Sequence, residues 1–424
     1  MMPTMTIWNV AVIGGGPAGL MAAGHLGNAG LQVILLEKNP ILGKKLLITG
    51  GGRCNVTNAE FDTRALLAKY GVAGKYLASP FAAWGARETI DFFEERGMPI
   101  RVEAEKRAFP VSNRVQSVHD VLVGYMKEGG VTVRIHAQVK RLEKNDNQIT
   151  AAILRDGTAI RANMFILATG GKSRPETGST GDGFVWLKRL GHTVSVSNAA
   201  LVPISVNDAW AKRLAGVSLK DAKVTLFQAS EKQESTIGKI LFTHEGLSGP
   251  AILNLSRSIG ELLHYAPVNL EIDLLPQMGY EKINERLQDL FKKEHVKKLK
   301  NALRELIPSA LVDPVLELAR VSGDTACNSV TRADRIALTK LLKHIPLSVK
   351  GLLGLDKAVV TSGGVSLDEI DTRSFQSRLF PNLYILGDVL DISRPSGGYS
   401  LQICWASAKA ASAAITREVQ PPGI

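Results

Sequence analysis

The segment from Ile7 to Glu37 constrains this chain more than any other. Ile7 to Ile13 is an apolar run of strand length that ends in Gly14-Gly15-Gly16. Leu20 to Leu26 carries the small and apolar residues of a packed helix, and Gly30 punctuates it. Leu31 to Leu36 is a second apolar strand that ends at Glu37. Strand, helix and strand in so short a span form a βαβ unit, which requires parallel pairing and a right-handed crossover. The glycine spacing Gly14-x-Gly16-x-x-Gly19 then has physical work to do. Gly14 permits the tight turn, Gly16 lets the backbone approach a pyrophosphate, and Gly19 lets helix and strand pack closely. The helix N-terminus offers free N–H groups to the phosphates. Glu37, 18 residues past Gly19, is placed to accept hydrogen bonds from a ribose diol.

Composition bounds the rest. With 424 residues, 45% hydrophobic and 21% charged, the chain is globular and long enough for two or three domains. Disordered, collagen-like and coiled-coil chains are excluded. The net charge of +11 suits phosphates, nucleotides or nucleic acid. Three scattered cysteines (Cys54, Cys327, Cys404) make no disulfide framework and no CxxC pair, which points to a reducing, cytoplasmic setting. No basic signal-peptide region precedes Trp8. The uncharged stretch from Val10 to Leu36 holds seven glycines and is a poor membrane span. No metal-ligand spacing of histidines is present, so no metal is expected.

Further along, Arg114 to Lys127 reads as a helix, and Val139–Leu142, Ile149–Leu154 and Ala162–Ala168 as strands of a meander. Phe184 to Leu190 reads as a short helix. The character changes near Asn198 to short strands, among them Val224–Phe227, Ile237–Phe242 and Leu270–Leu274. From Tyr280 the periodicity is helical: Ile283, Leu287, Leu290 and Phe291 share one face, and Val296, Leu299, Leu303 and Leu306 another. Arg332 to Lys343 is a further amphipathic helix. Strand signals return beyond Ala358, Leu383–Leu386 is a buried strand, and Ser400 to Ile415 is a closing helix. The simplest organisation is one α/β domain interrupted by a large insertion.

Ala168-Thr169-Gly170-Gly171 and Gly387-Asp388 each follow a buried strand. With the first glycine turn they resemble the ATG and late GD turns that bracket FAD in glutathione-reductase-like flavoproteins, where the Gly-Asp carboxylate would accept from the ribityl chain. Longer strings run through the chain: Leu42-Gly43-Lys44-Lys45, Thr49-Gly50-Gly51-Gly52-Arg53-Cys54-Asn55, Thr180-Gly181-Asp182-Gly183, Leu241-Phe242-Thr243-His244-Glu245-Gly246-Leu247-Ser248-Gly249-Pro250, and Thr361-Ser362-Gly363-Gly364-Val365. On these the chain resembles the BaiN-like family of NAD(P)/FAD-dependent oxidoreductases. It departs at Asp388, where the family often has Glu, and at Ser393-Arg394-Pro395-Ser396-Gly397-Gly398-Tyr399-Ser400, where the family has Asp-Gly-x-x-Gly-Gly-Tyr-Asn.

The resemblance implies an α/β fold: a glutathione-reductase-like, FAD-binding Rossmann domain (1–194 and 358–424), an inserted β-barrel-like part (195–275 and 346–357) and a small helical subdomain (276–345). It implies a cofactor site drawn from Gly14, Gly16, Pro17, Ala18, Gly19, Glu37, Lys38, Gly43, Lys44, Arg53, Cys54, Asn55, Val139, Ala168, Thr169, Gly170, Gly387, Asp388, Gly397, Gly398, Tyr399 and Ser400. Lys44 and Lys45 are either pyrophosphate partners or solvated surface. Arg53 would balance phosphate or reduced-flavin charge. Cys54, lacking a partner thiol, reads as packing against the cofactor rather than as a redox centre. Gly398 would let the last helix approach the flavin with no Cβ between. His244 and Tyr399 are the candidate proton donors, His244 being equally readable as a structural histidine.

The implied activity is hydride transfer between FAD and an electron-poor C=C of a small-molecule substrate. No second GxGxxG is present, so NAD(P)H would bind transiently on the insertion, or another donor acts. The second reading is a flavoprotein that binds or modifies nucleic acid through the basic run Lys292, Lys293, Lys297, Lys298 and Lys300. Base-stacking aromatics are missing there. The third is a flavin sensor without catalysis. The sequence leaves the substrate, the electron donor and the oligomeric state open.

Overall fold

β1 (Ile7–Ile13) is the central strand of the main sheet, and its neighbours set the site. The computed structural model describes residues 6–196, 201–263, 265–354 and 363–420. They divide into two compact units, Met1–Ala199 with Val359–Ile424, and Ala200–Ala358. In the first unit β1 pairs in parallel with β2 (Val33–Leu36) on one side and with Ala159–Leu167 on the other. Thr132–Arg134 continues the sheet beyond β2, and Leu383–Ile385 beyond Ala159–Leu167, both in parallel. Ile13 lies opposite both Leu36 and Leu167, and Leu167 opposite Ile385. All four strands therefore end at one level. The glycine turn, Glu37, Ala168-Thr169 and Gly387-Asp388 leave the sheet at the same edge, where open α/β sheets bind ligands.

α1 (Pro17–Asn28) follows the glycine turn directly, with Pro17 at its first position. It packs against Val115–Glu128 and the long helix Tyr399–Val419. Small residues make this close. A Cβ on Gly24 would stand 2.4 Å from the Tyr125 ring, and Ser412 Oγ donates to the Ala22 carbonyl at 3.3 Å. Val139–Asn145, Gln148–Leu154 and Ala159–Leu167 form the antiparallel meander. Three helices that periodicity had not marked, Thr63–Ala68, Gly74–Ala83 and Ala86–Glu94, also belong to this unit.

The second unit is a closed barrel of Ile204–Val206, Gly246–Ser248, Glu231–Phe242, Ser218–Gln228, Val268–Asp273 and Ile345–Leu352, with a helical part that includes Tyr280–Lys293, Ser309–Ala319 and Arg332–Lys343. One sequence expectation fails here. Val296 does not share a helix face with Leu299 and Leu303: it is 74% exposed, while they are fully buried. The chain turns at Glu294–Lys297, where the Lys297 N–H donates to the Glu294 carbonyl, and Lys298 is extended before the next helix begins at Leu299.

The change of character near Asn198 and the Thr361-Ser362 end of one string lie outside the described residues. Among the described residues no helix is long and apolar enough to cross a membrane. Among them no group of three or more His, Cys, Asp or Glu side chains could hold a metal ion.

Candidate functional site

The glycine turn has the geometry its spacing requires. Gly14 has φ +110°, and a Cβ there would lie 2.5 Å from the Ala168 carbonyl oxygen. A Cβ on Gly19 would lie 1.9 Å from the Gly14 carbonyl oxygen, so helix and turn touch backbone to backbone. Gly16, the N-cap of α1, differs: beyond its chain neighbours nothing lies within 4 Å of its Cβ position, so open space borders the helix start. That is the cradle a pyrophosphate needs.

One cavity runs from this turn in both directions. At one end it is lined by Glu37, Lys38 and Asn39, at the other by Asp388, Ser400 and Cys404, with Gly14–Ala18 between. Glu37 is 7% exposed and tightly held. Its Oε2 accepts from the Gly15 N–H at 2.7 Å, and its Oε1 from the Asn39 N–H and Nδ2, each at 2.7 Å. Lys38 is engaged with Asp182 and Thr180, both at 2.7 Å. At the other end Asp388 stands between Lys45, at 3.4 Å, and Arg394, which donates to its other oxygen. Burial raises the Asp388 carboxyl, but the Arg394 and Lys45 charges outweigh it and hold the group below the usual carboxylate range. An anion-accepting turn, a fixed carboxylate at one end and an ionised acceptor at the other fit FAD laid along the cavity.

Of the residues read from the sequence, Gly14, Gly16, Pro17, Ala18, Glu37, Lys38, Lys44, Val139, Ala168, Thr169, Gly170, Asp388 and Ser400 line this cavity. Others sit beside it with visible structural tasks. Gly43 donates its N–H to the Gly15 carbonyl at 2.8 Å and so props the turn. Gly387 donates to Ser407 Oγ at 3.3 Å. Asn55 accepts from the Ala108 N–H at 3.0 Å. Arg53 is spent on Glu103 at 2.5 Å and on Asn113, with its guanidinium over the Phe109 ring. Cys54 is fully buried, and burial pushes its thiol up to about 12, which suits packing and not redox exchange.

Gly398 needs correcting. Its φ is +100°, and its missing Cβ points at the Thr57 backbone, 2.4 Å away, so the neighbouring strand requires this glycine whatever the cofactor does. Gly397 is also left-handed, at φ +122°. Tyr399 is buried with its ring against Tyr70, centroids 5.9 Å apart, and is not among the cavity-lining residues. Burial first, then the Glu60 and Glu105 carboxylates, raise its phenol above the ordinary value. His244 is exposed in the barrel unit, in a turn closed by the Thr243 N–H donating to the Gly246 carbonyl at 2.8 Å.

Sequence reading missed Leu46, Gln138, Trp186 and Cys404 in the lining. They come from four different segments and carry no local signature. The basic run is also less available than its composition implies. Lys293 and Lys297 pair with Glu294 and Glu305, and Lys298 and Lys300 share Asp324.

A family model described as HI0933-like protein Rossmann domain matches residues 8–414. The ribosomal RNA dihydrouridine synthase of Escherichia coli strain K12 is 30% identical over 408 residues, 95% of this chain and 97% of that protein. The 3-dehydro-bile acid delta(4,6)-reductase of Clostridium scindens is 28% identical over 401 residues, 94% of this chain and 96% of that protein. Among solved structures, 3-ketosteroid delta1-dehydrogenase from Sterolibacterium denitrificans superposes with a TM-score of 0.56 at 12% identity, over 97% of this chain and 100% of that one, a likeness of fold.

Proposed function

This chain belongs to the HI0933-like family of flavoprotein oxidoreductases, and we propose that it uses FAD to saturate an electron-poor C=C conjugated to a carbonyl. The carrying observation is the cavity: an open glycine cradle with a pinned carboxylate, Glu37, at one end and an ionised one, Asp388, at the other. The names of the two relatives support the reaction class, since forming dihydrouridine and reducing ring double bonds both add two hydrogens across C=C.

FAD, when bound, supplies hydride chemistry. The chain's own residues do the rest. The N–H groups opening α1 take the pyrophosphate, Glu37 takes the ribose hydroxyls, and Asp388 accepts from the ribityl chain. Lys44 adds positive charge beside the phosphates. The proton donors expected from the sequence are Tyr399, whose phenol burial and acidic neighbours raise above its ordinary value but whose ring packs on Tyr70 outside the cavity lining, and His244, which is exposed in the barrel unit. NADH or NADPH is the reductant in this reading, visiting transiently. The three free cysteines, all buried, suit a cytoplasmic protein.

A second reading, uridine in RNA as the substrate, is favoured by 30% identity to the E. coli ribosomal RNA enzyme over nearly its whole length. It would not use the Lys293–Lys300 run as its grip, because those charges are paired. Both readings share one test. Enzyme reconstituted with FAD and given NADPH is offered unmodified ribosomal RNA in one arm and a 3-oxo-4,6-diene steroid in the other, and products are weighed by mass spectrometry. Gain of two hydrogens in one arm supports the reaction and names the substrate class. No gain in either, by an enzyme whose flavin is reduced, sinks it. Tyr399→Phe and His244→Gln then separate the proton donors by which variant loses turnover while keeping FAD.

A further inference from the structure

Arg394 is a rare kind of residue for a loop. Its side chain is 2% exposed, yet all three of its nitrogens are engaged. Nε donates to Ser400 Oγ at 3.0 Å, Nη1 to the Ile392 carbonyl at 2.6 Å, and Nη2 to Asp388 Oδ1. Asp388, Ser400 and Lys45 line the cavity, and Arg394 is not among the lining residues. It stands behind the wall and grips two residues that form it. Lys45, which faces the other Asp388 oxygen, is itself tied to Ser173 Oγ at 2.7 Å. One carboxylate therefore sits between two cations, and the wall carries one net positive charge.

We propose that Arg394 is a positioning residue that fixes the Asp388 carboxylate toward the cofactor and, through its charge, raises the potential of the bound flavin. This rests on the FAD reading above. The orientation follows from the hydrogen bonds. With Oδ1 held by Arg394 and Oδ2 only 3.4 Å from Lys45, the second oxygen keeps capacity to accept from a hydroxyl in the cavity. The charge follows from burial. A guanidinium cannot deprotonate, so Arg394 keeps its charge at any working pH, and that charge favours the more negative, reduced form of the ring. Removing one member of a buried pair leaves the other uncompensated, so the effect of losing Arg394 passes through Asp388. The other titratable groups near this pair are the Cys404 thiol and the Tyr70 phenol, which burial keeps neutral.

The test uses full-length protein reconstituted with FAD. Wild type, Arg394→Gln, Arg394→Lys, Asp388→Asn and the double variant Arg394→Gln/Asp388→Asn are compared for FAD Kd and flavin midpoint potential. Arg394→Gln should weaken FAD about tenfold or more, as for loss of a charged hydrogen bond. It should also lower the potential by about 30 mV, the equivalent of tenfold for two electrons. Arg394→Lys keeps the charge and loses the three-way grip, so Kd rises and the potential holds. The double variant should bind no worse than the worse single one. Wild-type Kd and potential in folded Arg394→Gln overturn the proposal, and so does full additivity in the double variant. Should Arg394→Gln fail to fold, Arg394→Lys decides alone: wild-type Kd there, or a fallen potential, overturns it. If wild-type protein itself takes up no FAD, the functional reading falls instead.

Discussion

Gly16→Ala and Gly19→Ala add the same methyl group three residues apart and should have opposite consequences. Gly16 has φ −83° and ψ −177°, a backbone alanine adopts without strain, and no atom lies within 4 Å of the new Cβ. The FAD-free fold should accept the change and gain about 0.4–1 kcal/mol from a less flexible unfolded chain. The open space is where the pyrophosphate must come to reach the α1 N–H groups. A methyl there pushes the phosphate off charge-assisted hydrogen bonds that contribute about 1.5–3 kcal/mol each, so FAD affinity should fall roughly tenfold to a hundredfold. At Gly19 the Cβ would be 1.9 Å from the Gly14 oxygen, a distance only backbone movement can relieve. Overpacking of that kind costs about 1–3 kcal/mol or more and should appear without any cofactor. Thermal unfolding of the FAD-free proteins and FAD titration by flavin fluorescence separate the two effects. Wild-type FAD affinity in Gly16→Ala would refute the placement of the pyrophosphate at this turn.

Glu37→Ala should cost about 1–3 kcal/mol in FAD affinity, and should also lower the melting temperature of the FAD-free protein, because the Gly15 and Asn39 N–H groups lose their acceptor; unchanged affinity in the folded variant removes Glu37 from the ribose role. Acid sensitivity should trace to His25, which burial, then the Lys409 and Arg96 charges, lower to about 3. Its unfolded form protonates near 6.5 while the folded form stays neutral, so stability falls as pH drops from about 6.5 toward 3, by roughly 5 kcal/mol in all. His25→Phe, placed among Trp84, Phe92 and Tyr125, should flatten that stretch of the unfolding-versus-pH curve, and an unaltered curve would show that other groups set it. Replacing Lys292, Lys293, Lys297 and Lys298 should leave flavin content, flavin reduction and any RNA binding unchanged; salt-sensitive RNA binding that vanishes with them would show that the paired lysines serve as a grip after all.

The parts of the fold that could be read beforehand are those whose cause is local. The turn at Gly14–Gly19 requires glycine for reasons that act within a few residues, and Arg332–Lys343 shows its apolar stripe and a Thr331 cap in sequence order. The barrel strands were read in fragments, since alternation marks a strand and not its partners. Val296 was misplaced because a five-residue turn does not interrupt an apolar period. The cavity wall was the least legible. Gln138, just before the strand that starts at Val139, and Trp186, in the middle of the helix Asp182–Leu190, reach it only through the packing of separate segments. Gly398 looked like a cofactor contact in sequence, and only the three-dimensional path of Thr57 shows what it touches. The grip of Arg394 on Asp388, six residues apart, depends on a loop path that no periodicity encodes.

The central claim is that FAD held in this cavity reduces a conjugated C=C. Its most direct test is a single turnover without oxygen: the FAD-loaded protein is reduced chemically, then mixed with stoichiometric ribosomal RNA transcript or dienone steroid while flavin absorbance is followed. The account predicts return of the oxidised flavin spectrum with one of them, matched by an equal amount of product saturated at a C=C. A flavin that stays reduced with both, and reoxidises only when air is admitted, would contradict it.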